Sequence, residues 1–165
     1  MWRRGDGYVI SMNKDDLDRD VIHQFLSEES YWAQGIERHV VEVMIENTPL
    51  CYGVYHEELL EDGTTVRQQV GLARVVTDFV RFSWLADVFI LPEHRGKELS
   101  KWLLSCVLEH PQLKGTRFGL STDDAHGLYE QFGFKPIDKP ENRLERPLDW
   151  GAIRAAYSYG GEQDN

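Results

Sequence analysis

Residues 89–104, FILPEHRGKELSKWLL, decide the fold. Phe89, Ile90 and Leu91 read as the end of an apolar strand, and Pro92 closes it. Glu93 to Lys97 form a tight, basic turn around Arg95 and Gly96. From Leu99 onward the apolar residues Leu99, Trp102, Leu103, Cys106 and Val107 recur with a 3.6-residue period, which predicts an amphipathic helix. The first N–H groups of a helix lack intrahelical acceptors, and the helix dipole favours an anion beside them. A strand, a basic turn and a helix N-terminus in this order therefore suit a phosphate group. Arg95, Lys97 and Lys101 add positive charge there, or else make up a solvated helix face. Glu98 places a carboxylate where backbone should meet phosphate oxygen. The geometry of a helix N-terminus predicts that Glu98 offers its amide and turns its acid to solvent or to Arg95.

Upstream, Phe82, Trp84, Ala86, Val88 and Ile90 alternate along one strand. Val66 to Val76 and Cys51 to His56 read as two more, joined by a hairpin at Asp62-Gly63, where glycine tolerates positive φ. Asp78 to Arg81 connects the later pair. Gly7 to Met12 alternates as a first strand. Asn13 to Asp16 then offers caps for a helix carrying Leu17, Val21 and Phe25, with Ile22 and Leu26 beside them. SEESYWAQG interrupts the pattern, and Ile36, Val40, Val43 and Met44 predict a second helix ending near Asn47. Downstream, His110-Pro111 ends the amphipathic helix. Thr116 to Ser121 reads as a short strand, Thr122 or Asp123 caps a short helix through Gln131, and Phe132 to Phe134 lead into a last strand. The order β-α-α-β-β-β-α-β-α-β predicts an α/β domain. Its central sheet is mixed and mostly antiparallel, with helices on its faces.

A chain of 165 residues favours one domain over 1–165, with a core at about 7–138 and a loose polar tail from Tyr157. The net charge of -10 argues against nucleic acid and anionic membranes as partners. No run approaches the roughly 20 apolar residues of a membrane span, and the N-terminus carries no signal-peptide pattern. Cys51 and Cys106 stand far apart and read as buried hydrophobes, consistent with a reducing, cytoplasmic setting. The histidines show no metal-ligand spacing, so no metal is expected.

Three linked features make the chain resemble the GNAT N-acetyltransferases, over about residues 7–138. ADVFILPEHRG is similar to the family's acetyl-CoA strand and turn. The family's signature (Arg or Gln, any two residues, Gly, any residue, Gly or Ala) falls on Arg95, Gly96, Lys97, Glu98, Leu99 and Ser100. TDDAHGLYEQFGF resembles the family's later helix, matching at Ala125, Leu128, Tyr129, Gly133 and Phe134. SYWAQGI and LADVFILPEHRG further resemble a subgroup of small single-domain members. Both signature glycines are replaced here, by Glu98 and Ser100.

The resemblance implies the GNAT acyl-CoA N-acyltransferase fold. It also implies direct transfer of an acetyl group from acetyl-CoA, as co-substrate, to an amine. A small-molecule amine is the expected acceptor, ahead of protein N-termini or lysines, and the resemblance leaves room for a homodimer. Backbone amides near Phe89, Ile90 and Leu91 would meet the pantetheine arm and the developing oxyanion. The loop from Arg95 to Lys101 would hold the phosphates. Tyr129 matches the general acid for the departing thiolate, or is a packing tyrosine. Asp87 is a candidate base, or an acid paired with an arginine such as Arg74. His126 is a second candidate base, or a cofactor contact. Thr122 sits where many members carry an asparagine that touches the pantetheine. Tyr31, Trp32 and Trp84 would wall the acceptor cleft, or pack as core. The rival reading is a non-catalytic acyl-CoA-binding or regulatory domain, for which Glu98 is the best support.

Overall fold

The computed structural model describes residues 1–158. Two short strands, β1 (Trp2–Arg3) and β2 (Tyr8–Ser11), open the chain. Helices α1 (Arg19–Gln24) and α2 (Arg38–Glu46) follow, then the long strands β3 (Leu50–Leu59), β4 (Thr65–Thr77) and β5 (Phe82–Ile90). Helix α3 (Leu99–Leu108), strand β6 (Arg117–Gly119) and helix α4 (His126–Glu130) complete the site-bearing part. The strands lie side by side in sequence order as one six-stranded sheet. Every neighbouring pair is antiparallel except β5 and β6, which α3 connects in parallel.

Alternation along the strands assigns each residue to a face. Tyr8, Ile10, Tyr52, Val54, Ala73 and Val75 join Leu99, Leu103, Leu104, Cys106 and Val107 of α3 in one core. Phe25 at the end of α1 meets the sheet on Phe89, ring on ring at 4.0 Å. With both faces covered, all of β2 is buried.

Two expectations about helices shift in detail. Asn13 caps only a 3-10 turn, Lys14–Asp16, and α1 starts later because Asp18 accepts the amides of Asp20 and Val21. The interruption at SEESYWAQG begins as a π-helical turn, Phe25–Glu29. The hairpin at Asp62-Gly63 is present, with Gly63 at φ 84°. Asp78 organises the next connection by accepting the amides of Val80, Arg81 and Phe82 at 2.9, 2.8 and 3.1 Å. Those amides hold its carboxyl below the ordinary aspartate range.

The strand expected after Phe134 is absent among the described residues. Residues 131–133 form a turn, and Pro136 and Pro140 follow within a few residues. Proline donates no hydrogen bond to a ladder, so this stretch is poorly suited to extend the sheet. The chain divides into two compact units, and the second begins at Lys135. It contains a helix that periodicity did not suggest, α5 (Trp150–Tyr157), capped by Asp149 on the amide of Ala152. The expected loose tail from Tyr157 meets this helix at its first residue, and from residue 159 on it lies outside the described residues. No helix among the described residues is long and apolar enough to cross a membrane. Cys51 and Cys106 are both buried and free, and burial pushes the Cys106 thiol up to about 11.

Candidate active site

The site begins with an irregularity in β5. Gly71 pairs with Ile90 and Leu72 with Phe89, but Arg74 pairs with Ala86, so β5 carries one residue more than β4 across this stretch. The extra residue is a bulge, and Asp87 sits in it at φ 50°. The bulge breaks the simple alternation and turns Asp87 inward. One carboxylate oxygen accepts from Arg74 Nε at 2.6 Å and the other from Trp32 Nε1 at 2.8 Å. The Arg74 guanidinium also donates to Thr48 Oγ1 at 2.6 Å. Both oxygens of Asp87 are thus committed, and its side chain is 7% exposed. Gly71 permits the approach of β5 here: a Cβ on it would lie 2.7 Å from the Phe89 carbonyl oxygen.

Beyond the bulge the outer edge of β5 is open. β6 pairs with it only from Phe82 to Trp84, and the chain leaves the sheet after Gly119. Leu91 donates its amide to Val70 O at 2.7 Å, on the β4 side. Ladder bonds alternate, so Ile90 turns its own N–H to the open edge. β5 and β6 thus splay apart beyond Trp84, and the splay places a backbone donor at the edge of the strand.

Helix α3 starts at one end of this edge. Gly96 has φ 77°, and Glu98 is left-handed at φ 60°. No side chain caps the helix. From Gly96 to Lys101 the backbone N–H groups donate to no acceptor among the described residues. They border a cavity of about 220 Å³ lined by Ile90, His94, Arg95, Gly96, Glu98, Leu99, Ser100, Lys101 and Leu128. The Glu98 carboxylate turns outward, 70% exposed, and pairs with Lys101 Nζ at 2.9 Å rather than with Arg95. Arg95 Nε holds the Ile90 carbonyl at 3.0 Å.

Lys97 takes a different path. Its ammonium donates to the Tyr8 hydroxyl at 3.2 Å and does not line the cavity. The Tyr8 hydroxyl also shares a hydrogen bond with His94 Nδ1, at 2.7 Å. Burial, with His56 and Lys97 nearby, holds His94 below the ordinary imidazole range. From the other side Arg4 donates to the Lys97 carbonyl at 3.0 Å while stacking over Trp102 and Tyr8. Nothing local signals this support, since Arg4 and Lys97 are far apart along the chain.

At the other end of the splay lies a larger cavity, about 480 Å³. Tyr31, Trp32, Trp84, Asp87, Thr122, Asp123, Asp124 and Tyr129 all line it. The Tyr31 hydroxyl accepts the amide of Asp123 at 3.0 Å, which latches the α1–α2 loop to the segment before α4. Tyr129 faces in from α4, and its hydroxyl makes no hydrogen bond among the described residues. Burial above all pushes its phenol up to about 12. Thr122 Oγ1 is occupied by the amide of Ala125 at 3.0 Å. The structure therefore brings together Ile90, Arg95, Gly96, Glu98, Leu99, Ser100 and Lys101 at one end, and Asp87, Thr122, Tyr129 and the aromatics at the other. Lys97, Leu91, Phe89 and His126 line neither cavity. Among the described residues no cluster of histidine, cysteine and carboxylate side chains has metal-binding geometry.

The model for the acetyltransferase (GNAT) domain matches residues 49–136. A Gibberella zeae protein named "putative acetyltransferase" is 33% identical over 148 residues, spanning 81% of this chain and 82% of its own. A crystal structure of a GNAT-family protein from Xanthomonas campestris is 41% identical, with a TM-score of 0.75 over 86% of this chain and 93% of that one. A GNAT-family acetyltransferase from Streptococcus pneumoniae, 18% identical with a TM-score of 0.61 over 87% of this chain and 98% of its own, shares the fold. With a family model across more than half its length and a fungal relative along most of it, the chain belongs to the GNAT family of acetyltransferases.

Proposed function

We propose that the chain moves an acetyl group from acetyl-CoA to the primary amine of a small molecule, by direct attack within a ternary complex. One observation carries the reading: an unpaired strand edge joins a row of free helix-terminal amides to a cavity holding the Tyr129 hydroxyl. The residues present fit the donor. The amides from Gly96 to Lys101, with Arg95 and Lys101, suit its diphosphate. The Ile90 N–H at the open edge suits its pantetheine or acyl carbonyl. When bound, acetyl-CoA supplies an activated thioester.

The chain's own groups do the rest. Ile90 N–H is fixed by the ladder before any charge develops, so it needs no reorganisation to stabilise an oxyanion. Tyr129 stays protonated across the neutral range because burial disfavours the phenolate, so its proton is available to a departing sulfur. Asp87 anchors the bulge through Arg74 and positions the Trp32 indole. The amine's proton leaves through the open side of the cavity to water. Against the rival reading, a non-catalytic acyl-CoA-binding domain, stands the Glu98 carboxylate, which pairs outward with Lys101.

The test is a screen of amines with detection of free thiol, repeated with Tyr129→Phe. Turnover in the native chain should fall on the order of a hundredfold in the variant, with coenzyme A affinity kept. Coenzyme binding without turnover on any amine, and indifference to the substitution, would favour the binding domain instead.

A further inference from the structure

The larger cavity also constrains which amine enters it. Three aromatic rings, Tyr31, Trp32 and Trp84, and three carboxylates, Asp87, Asp123 and Asp124, are among its lining residues, and no lysine, arginine or histidine is. The rings are held in place. Trp32 donates its indole N–H to Asp87 at 2.8 Å, and Tyr31 packs edge-on against Trp32 at 4.9 Å while its hydroxyl holds the Asp123 amide. An aromatic face attracts a cation most strongly when neither partner must reorganise.

The carboxylates differ in their commitments. Asp87 is neutralised by Arg74 and lies within the cavity. Asp123 and Asp124 are exposed at its mouth and have no ion-pair partner among the described residues. The cavity thus has a charge-balanced interior beside Tyr129 and an uncompensated negative rim on an aromatic wall. A volume of about 480 Å³, shared with the end of a pantetheine arm, favours a slender ligand over a folded polypeptide surface.

On the reading of the site given above, we propose that the acceptor is an aliphatic amine carrying a second positive charge. The reacting nitrogen lies inward and the second ammonium rests between the rim carboxylates and the indole rings. The second charge also helps the chemistry. A neighbouring cation lowers the pKa of the reacting amine, so a larger fraction arrives neutral without a dedicated base. An amine bearing a carboxylate at the same distance meets like charge at the rim and is rejected.

The test uses three probes of matched length: 1,4-diaminobutane, butylamine and 4-aminobutyrate. Turnover is followed by thiol release, and binding of each probe to the protein alone by calorimetry. The diamine should exceed butylamine in kcat/KM by about tenfold or more, and 4-aminobutyrate should be the poorest, with the spread narrowing from low to high salt. In an Asp123→Asn/Asp124→Asn double variant the diamine-to-butylamine ratio should fall about tenfold, in binding as well as in turnover. Equal use of the three probes, or a ratio unmoved in the double variant, overturns the proposal and leaves acetyl transfer standing. Selective diamine binding without turnover overturns the acetyltransferase reading and keeps the cation site. No selective uptake and no turnover overturns both.

Discussion

Glu98 occupies the left-handed position where the family signature has glycine, and its replacement by glycine should change coenzyme binding little. A carboxylate facing a phosphate at 4 Å, at an effective dielectric near 20, would cost about 4 kcal/mol, roughly a thousandfold in affinity. The acid instead points into solvent and pairs with Lys101 at 2.9 Å. Acting through water over about 8 Å, it would repel a phosphate by only about 0.5 kcal/mol. Releasing Lys101 from an exposed ion pair adds at most about 1 kcal/mol. Glu98→Gly should therefore tighten coenzyme A about two- to tenfold by calorimetry at low salt, and the gain should vanish near 0.5 M salt. Glu98→Gln removes the charge and keeps the side chain, so it should reproduce the same gain. Relief of the left-handed backbone, about 1 kcal/mol, is offset by the extra freedom of glycine in the unfolded chain, so melting temperature should barely move. A hundredfold tightening in the glycine variant would refute the outward carboxylate. Tightening in glycine without glutamine would show that the Cβ, not the charge, stands in the way.

Gly71→Ala should lower the urea midpoint by an amount equivalent to about 2–3 kcal/mol, since its methyl meets the backbone oxygen of Phe89 at 2.7 Å; a loss under about 0.5 kcal/mol would mean that β5 yields freely. Asp87→Asn leaves Arg74 buried without its counter-charge and should cost about 3 kcal/mol of stability while keeping the shape of the pH–rate profile; loss of the acidic limb of that profile would make Asp87 the base after all. His94 is held below its unfolded value near 6.5 by burial and by His56 and Lys97, so the unfolded chain binds the extra proton first. The stability this contributes is present above about pH 6.5 and is lost as pH falls toward the lowered value, which melting curves from pH 7.5 to 5.5 should show and His94→Gln should blunt.

The parts legible in the sequence were those with short-range signatures. Helix α3 announced itself through Leu99, Leu103, Cys106 and Val107, and the basic turn before it through Arg95 and Gly96. Alternation marked β5, the Asp62-Gly63 turn signal joined β3 to β4, and the family resemblance set the aromatic loop beside a cleft. The bulge at Asp87 was not legible, because one inserted residue leaves an apolar strand looking apolar in either register. Phe132 and Phe134 resemble the start of a strand, but Pro136 and Pro140 withdraw the amides that a ladder needs. Helix α5 escaped because most of its residues are exposed and leave no apolar stripe to count. Lys97 looked like a phosphate ligand because nothing local betrays that Tyr8, from the second strand, holds its ammonium.

The hold of Arg4 on the Lys97 carbonyl reaches beyond the lining of either cavity. Arg4 braces from behind the loop proposed to hold the nucleotide, much as a buttress stands outside the wall it supports. Arg4→Ala would then disturb coenzyme uptake although no group lining either cavity had changed.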